Sequence, residues 1–148
     1  MIVMKFGGTS VGDAARVDQA AAIIEAQPAP RAAVVSAASG VTNLLLDAAR
    51  AAAVEGDELV AKLAAAVRGK HHEIAAAIGD DQERAAALAA LDQLHAAFDD
   101  ALAAVARAGK LTPRDSDRIV ATGEKAMSIL LASVLRSRGT PAVHVWAD

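Results

Sequence analysis

The sequence predicts an α/β fold built on a mostly parallel sheet. Short apolar runs at Ile2–Phe6, Ala32–Val35 and Thr140–Trp146, each bounded by turn-forming residues, read as strands. Long segments with apolar residues three and four apart separate them. Strands alternating with helices favour parallel pairing through helical crossovers.

The first run ends at Gly7-Gly8. A helix from Asp13 onward presents Val17, Ala20, Ala21, Ile24 and Ala26 on one face, and Pro28 and Pro30 close it. Ala32–Val35 leads into a turn of small residues, Ser36–Gly40. The next helix starts near Thr42 or Asn43, with either as its cap, and runs through Leu44–Ala53. Gly56-Asp57 breaks the pattern. Two alanine-rich helices, Glu58–Ile78 and Asp80–Ala108, meet at Gly79 and read as an αα-hairpin. Leu88, Leu91, Leu94, Phe98, Leu102 and Val105 share one face of the second helix. Thr112-Pro113-Arg114-Asp115 is a helix start: a capping hydroxyl, a proline at the first helical position and an acid in the first turn. This helix is expected to reach Arg138, with Gly123 marking either close packing or a break and new helix start that would put Glu124 near a helix N-terminus. Gly139 ends it before the third strand. Three strands are few for a parallel sheet, so further strands are expected beyond Asp148.

Composition narrows the function classes. The 148 residues are 54% hydrophobic, enough for one domain with a sizeable core, and only 2% are aromatic. The core must therefore come from Ala, Leu, Val and Ile. A net charge of -3 gives no ground for a nucleic-acid or acidic-membrane partner. With no cysteine, disulfides, thiolate chemistry and cysteine-based zinc sites are excluded. No apolar run is long enough to span a membrane, and Met1–Phe6 is too short for a signal peptide. The default is a cytoplasmic protein.

Lys5-Phe6-Gly7-Gly8-Thr9-Ser10 lies where the first strand turns into the first helix. Backbone N–H groups converge at such a turn, glycine lets an anion approach, and the helix end adds partial positive charge. Lys5 could meet a phosphoryl group as a point charge, and Thr9 and Ser10 could donate hydroxyl hydrogen bonds. The pattern is neither a Walker loop nor a dinucleotide GxGxxG. Spacing alone leaves open a plain turn that needs glycine for its geometry.

The run Lys5–Val11 (KFGGTSV) resembles the opening signature of the aspartokinases, within the amino-acid kinase superfamily. The resemblance implies that Lys5 assists phosphoryl transfer and that the glycine loop faces the ATP phosphates. Ser36–Leu45 (SAASGVTNLL) is similar to the family's second motif, which assigns Ser36 and Thr42 to an aspartate pocket. Arg118–Leu131 resembles the Gly-Glu motif, which gives Glu124 a contact with aspartate. Read without the family, Ser36–Leu45 is a capped helix start and Glu124 a surface glutamate. The three motifs occur in family order.

The resemblance implies the three-layer, carbamate kinase-like fold, of which residues 1–148 would form the N-terminal part of the catalytic domain. The expected reaction is phosphorylation of the aspartate side-chain carboxylate by MgATP, the first step of aspartate-family amino-acid biosynthesis. Mg2+ would be held mainly through the nucleotide, and the full-length protein is expected to be a homo-oligomer. The family's adenine-binding segment, catalytic aspartate and ACT domains have no counterpart here, so the chain alone is expected to be inactive. The alternatives are another amino-acid kinase or a non-catalytic domain of the same fold. No metal site is expected: His71 and His72 are adjacent and point apart, and His95 and His144 are isolated.

Overall fold

The computed structural model describes residues 1–54 and 56–147. Its order is β1 (Ile2–Phe6), a 3₁₀ turn (Gly8–Val11), α1 (Ala14–Glu25), β2 (Arg31–Val35), α2 (Val41–Val54), α3 (Asp57–Ala75), α4 (Asp81–Ala108) and α5 (Pro113–Ser137). Side chains mark several of these boundaries. The carboxylate of Asp13 accepts the Arg16 N–H at 2.8 Å and starts α1. Asp80 does the same for Glu83 at 2.9 Å in α4. Thr112 and Asp115 form a reciprocal capping box on α5, with Pro113 in its first turn.

β1 and β2 pair in parallel from Ile2 opposite Arg31 to Phe6 opposite Val35. Phe6 is buried and Met4 and Val35 pack against the core, whereas Val3 and Val34 are 61% and 52% exposed. Alternation along the strands thus gives the sheet one face on the helices and one open face. Val17 and Ile24 of α1, Leu45 of α2, Ile74 of α3, Leu91 and Phe98 of α4, and Met127 and Leu130 of α5 belong to one core. Buried Ala48, Ala49, Ala52, Ala64 and Ala101 leave room for helix axes to approach. The result is a helix-rich α/β unit with a short parallel sheet.

Four details differ from the sequence reading. Thr140–Trp146 forms no strand, and the sheet of the described residues is β1–β2 alone. Pro141 lacks an N–H for a ladder. The Thr140 N–H goes to the Leu135 carbonyl at 2.9 Å, and the Ala142 carbonyl accepts from Arg136 Nη1 at 2.9 Å. Trp146 Nε1 donates to Ser128 Oγ at 3.0 Å, so the segment follows α5. A cleft of about 440 Å³, lined by Ala33, Val35, Leu131 and Val143 among others, separates it from β2. Second, α5 runs unbroken through Thr122-Gly123. Third, α2 begins at Val41, which puts Thr42 and Asn43 in its first turn and not at its cap. Gly40, at φ +82°, supplies the left-handed residue before it. Fourth, α3 and α4 are sequence neighbours, yet α3 packs chiefly on α2 and α4 chiefly on α5. Asp148 lies outside the described residues.

Candidate active site

The two segments singled out after β1 and β2 are joined directly. Both leave the carboxyl ends of adjacent parallel strands, the edge at which open α/β sheets bind ligands. The Phe6 carbonyl accepts the Ser36 N–H at 3.1 Å, extending the ladder one step past the strands. The Gly8 carbonyl then accepts the Ser39 N–H at 3.1 Å. A Cβ on Gly8 would stand 2.9 Å from the Ala37 carbonyl oxygen, so only glycine allows this approach. The Gly7 carbonyl accepts the Ser10 N–H at 3.0 Å and winds Gly8–Val11 into its 3₁₀ turn.

Gly123 brings α5 to the same place. A Cβ there would lie 2.6 Å from the Ala37 Cβ and 3.3 Å from Leu45 Cδ1. The glycine that weakens a helix in isolation is the residue that lets α5 rest on the second loop and on α2. Glu124 follows immediately and is partly buried. It lies mid-helix, so the expected helix N-terminus beside it does not exist.

The structure therefore converges the backbone of all three motifs around Ala37. Gly7, Thr9 and Ser10 are exposed on the first loop, and Gly8 is partly buried against the second. Ser36 and Thr42 are partly buried on the second loop and the first turn of α2. Lys5 is exposed and pairs in register with Val34, on the open face of the sheet. Phe6 is different from the rest: its side chain is in the core and its carbonyl accepts from Ser36, so it supports the loop from below.

Arg16 was not singled out by the sequence reading. Its Nη1 donates to the Thr9 carbonyl at 2.7 Å, which places a cation against the glycine loop. The signal was its position in the first turn of the helix that follows the loop. Hydroxyls, amides and one lysine are donors suited to phosphate oxygens. They are not the carboxylate set that holds a bare Mg2+, so a magnesium ion here fits as one carried on nucleotide phosphates.

The sequence model of the amino acid kinase family matches residues 1–148. The chain belongs to the amino acid kinase family. It is 33% identical over 147 residues to the bifunctional aspartokinase/homoserine dehydrogenase 1 of Arabidopsis thaliana, covering 99% of this chain and 16% of that protein. It is 33% identical over 136 residues to the aspartokinase of Chlamydia muridarum, covering 92% of this chain and 28% of that one. Aspartokinase III of E. coli, solved in complex with lysine and aspartate, superposes with a TM-score of 0.83 at 26% identity, over 95% of this chain and 30% of the other. The same enzyme with aspartate and ADP gives 0.82 at 27% identity. This amino acid kinase chain thus spans less than a third of these relatives, and its fold agrees with the N-terminal part of the kinase fold. Among its described residues, no helix is long and apolar enough to cross a membrane.

Proposed function

We propose that this chain is the aspartate-side, N-terminal part of an aspartokinase catalytic domain, which transfers a phosphoryl group from MgATP to the side-chain carboxylate of aspartate. The convergence of the Gly8 loop, the Ser36–Thr42 loop and Gly123-Glu124 on Ala37 carries this reading. The relatives solved with aspartate and with ADP support it.

Phosphoryl transfer to a carboxylate asks for positioning and charge neutralisation rather than a covalent enzyme intermediate. Lys5 and the amides of the Gly7–Ser10 loop would neutralise the transferred group. Ser36 and Thr42 would donate to the aspartate carboxylates, and Glu124 would accept from its ammonium. The nucleotide-bound Mg2+ would add charge neutralisation at the phosphates. In cells this activity would be cytoplasmic, would open aspartate-family amino-acid biosynthesis, and would belong to a homo-oligomer.

Isotope-edited NMR of the chain, titrated separately with aspartate and glutamate, tests the assignment. Expected are amide shifts confined to Ser36–Thr42 and Thr122–Glu124, larger for aspartate and abolished by Thr42→Ala. Equal responses to glutamate, or shifts centred elsewhere, would overturn it. In a coupled ADP-release assay the chain alone is expected to show no turnover.

A further inference from the structure

The packing of α3 on α4 assembles a group of side chains that the proposed kinase chemistry does not use. His71 and His72 are consecutive on α3, one buried and one exposed, while Asp92 and His95 stand three apart on one side of α4. One ligand atom from each of His72, Asp92 and His95 lies within 4.8 Å of the other two. Three protein ligands on one tetrahedral zinc ion would be roughly 3.3 Å apart, given metal–ligand bonds of about 2.0–2.2 Å. His72 and Asp92 are exposed, so rotation of their side chains can close the remaining gap.

The buried half of the cluster is the stronger observation. His71 Nδ1 and His95 Nε2 lie 2.8 Å apart and share a hydrogen bond. His71 Nε2 and His95 Nδ1 are buried without a partner. Two neutral imidazoles sharing one proton leave one outer nitrogen as a bare lone pair and the other as an N–H. When His95 Nε2 donates to His71 Nδ1, the lone pair falls on His95 Nδ1. A metal-bound histidine has this form: one nitrogen ligates, and the other donates to a fixed acceptor that orients the ring.

Access and charge agree with this. A cleft of about 510 Å³ opens beside the cluster, lined by His72, Ala75, Ala76, Arg84, Leu88 and Asp92. Arg84 is engaged with the Ile78 carbonyl and with Asp81. Arg68, the other nearby cation, is paired with Asp99. Asp92 supplies the negative charge for a cation.

We propose that His72, Asp92 and His95 bind a divalent transition-metal ion of the zinc type, with His71 orienting His95 from behind and water completing the fourth position. The ion would staple α3 to α4, which pack on each other less than α3 packs on α2 and α4 on α5.

The test uses the purified chain, stripped with a chelator and then titrated with zinc chloride by calorimetry and with cobalt(II) by visible absorption. Expected are one ion per chain, a tetrahedral cobalt spectrum and a higher melting temperature with zinc. His72→Ala and Asp92→Asn should each weaken binding by at least about tenfold. Both positions are exposed, so the chelator-treated melting temperature should stay at the wild-type value. His144→Ala should bind as the parent does. The proposal fails if the parent chain takes up no zinc saturably, if either ligand variant binds as tightly as the parent, or if His144→Ala loses the ion.

Discussion

β1 and β2 hold the candidate active site on a sheet with one face open, Val3 and Val34 being 61% and 52% exposed, whereas α4 buries Leu91 and Phe98 almost completely. The sheet edge is set by backbone: carbonyls of Phe6 and Gly8 accepting from Ser36 and Ser39, and glycines that admit a neighbouring chain. The helical layer is set by side chains, alanines between axes and a few large residues filling what is left. Stability and site geometry are therefore carried by different residues. Changes in the helices should cost stability while sparing the site. Changes at the glycine contacts should move the site out of proportion to their cost.

The largest expected effect is Phe98→Ala. Emptying that volume between α4 and α5 should lower the unfolding free energy by about 3–5 kcal/mol, read by urea denaturation. The aspartate-induced NMR shifts of the folded fraction should be unchanged. Loss of those shifts would break the comparison.

Gly123→Ala comes next and sharpens the contrast. Helix propensity alone would make the variant more stable by about 1 kcal/mol. The new methyl would instead meet the Ala37 Cβ at 2.6 Å, and overpacking of that kind costs about 1–3 kcal/mol. A modest net loss is expected, with the aspartate response at Ser36–Thr42 disappearing altogether. A gain in stability with the response intact would show that the approach of α5 to the second loop does not set the site.

The smallest effect lies within the helical layer, where the end of α5 is tied to α1. Arg138 donates to both Asp18 and Glu25, and the Thr140 hydroxyl donates to Glu25 at 3.0 Å. The Arg138 guanidinium is the main cause holding the Glu25 carboxyl below its ordinary value of 4.5, against partial burial, and Thr140 adds to it. As pH falls the unfolded chain therefore takes up this proton first. The contribution is present above the ordinary value and is lost as pH drops through the lowered one. Glu25→Gln should flatten the acid limb of the urea midpoint against pH, by less than about 1 kcal/mol for such a surface pair. An unchanged acid limb would mean that the tie adds nothing.

Much of this was legible locally. β1 falls at the residues read from the apolar run, and β2 begins one residue earlier than expected. The capping box at Thr112 was visible because its residues are three apart and need nothing distant. Thr140–Trp146 misled because its residues have strand character, while Arg136, Leu135 and Ser128 on α5 take its hydrogen bonds. Gly123 left two readings open, close packing or a helix start, and the first is the one that holds. Its propensity points to a helix break, and the reason it sits within an intact helix is Ala37, 86 residues earlier in the chain.

By itself, the sequence determined the α/β alternation, the strand-to-helix loop at Gly7-Gly8 and the resemblance that placed the chain among the amino acid kinases. Those properties are written in periods of two and 3.6 residues and in short contiguous motifs. Only the tertiary structure decided that the three motifs share one contact point, that the Phe6 side chain turns into the core, and that His72 meets Asp92 and His95. Each depends on which backbone can approach which, and that is fixed by packing between residues far apart in the chain.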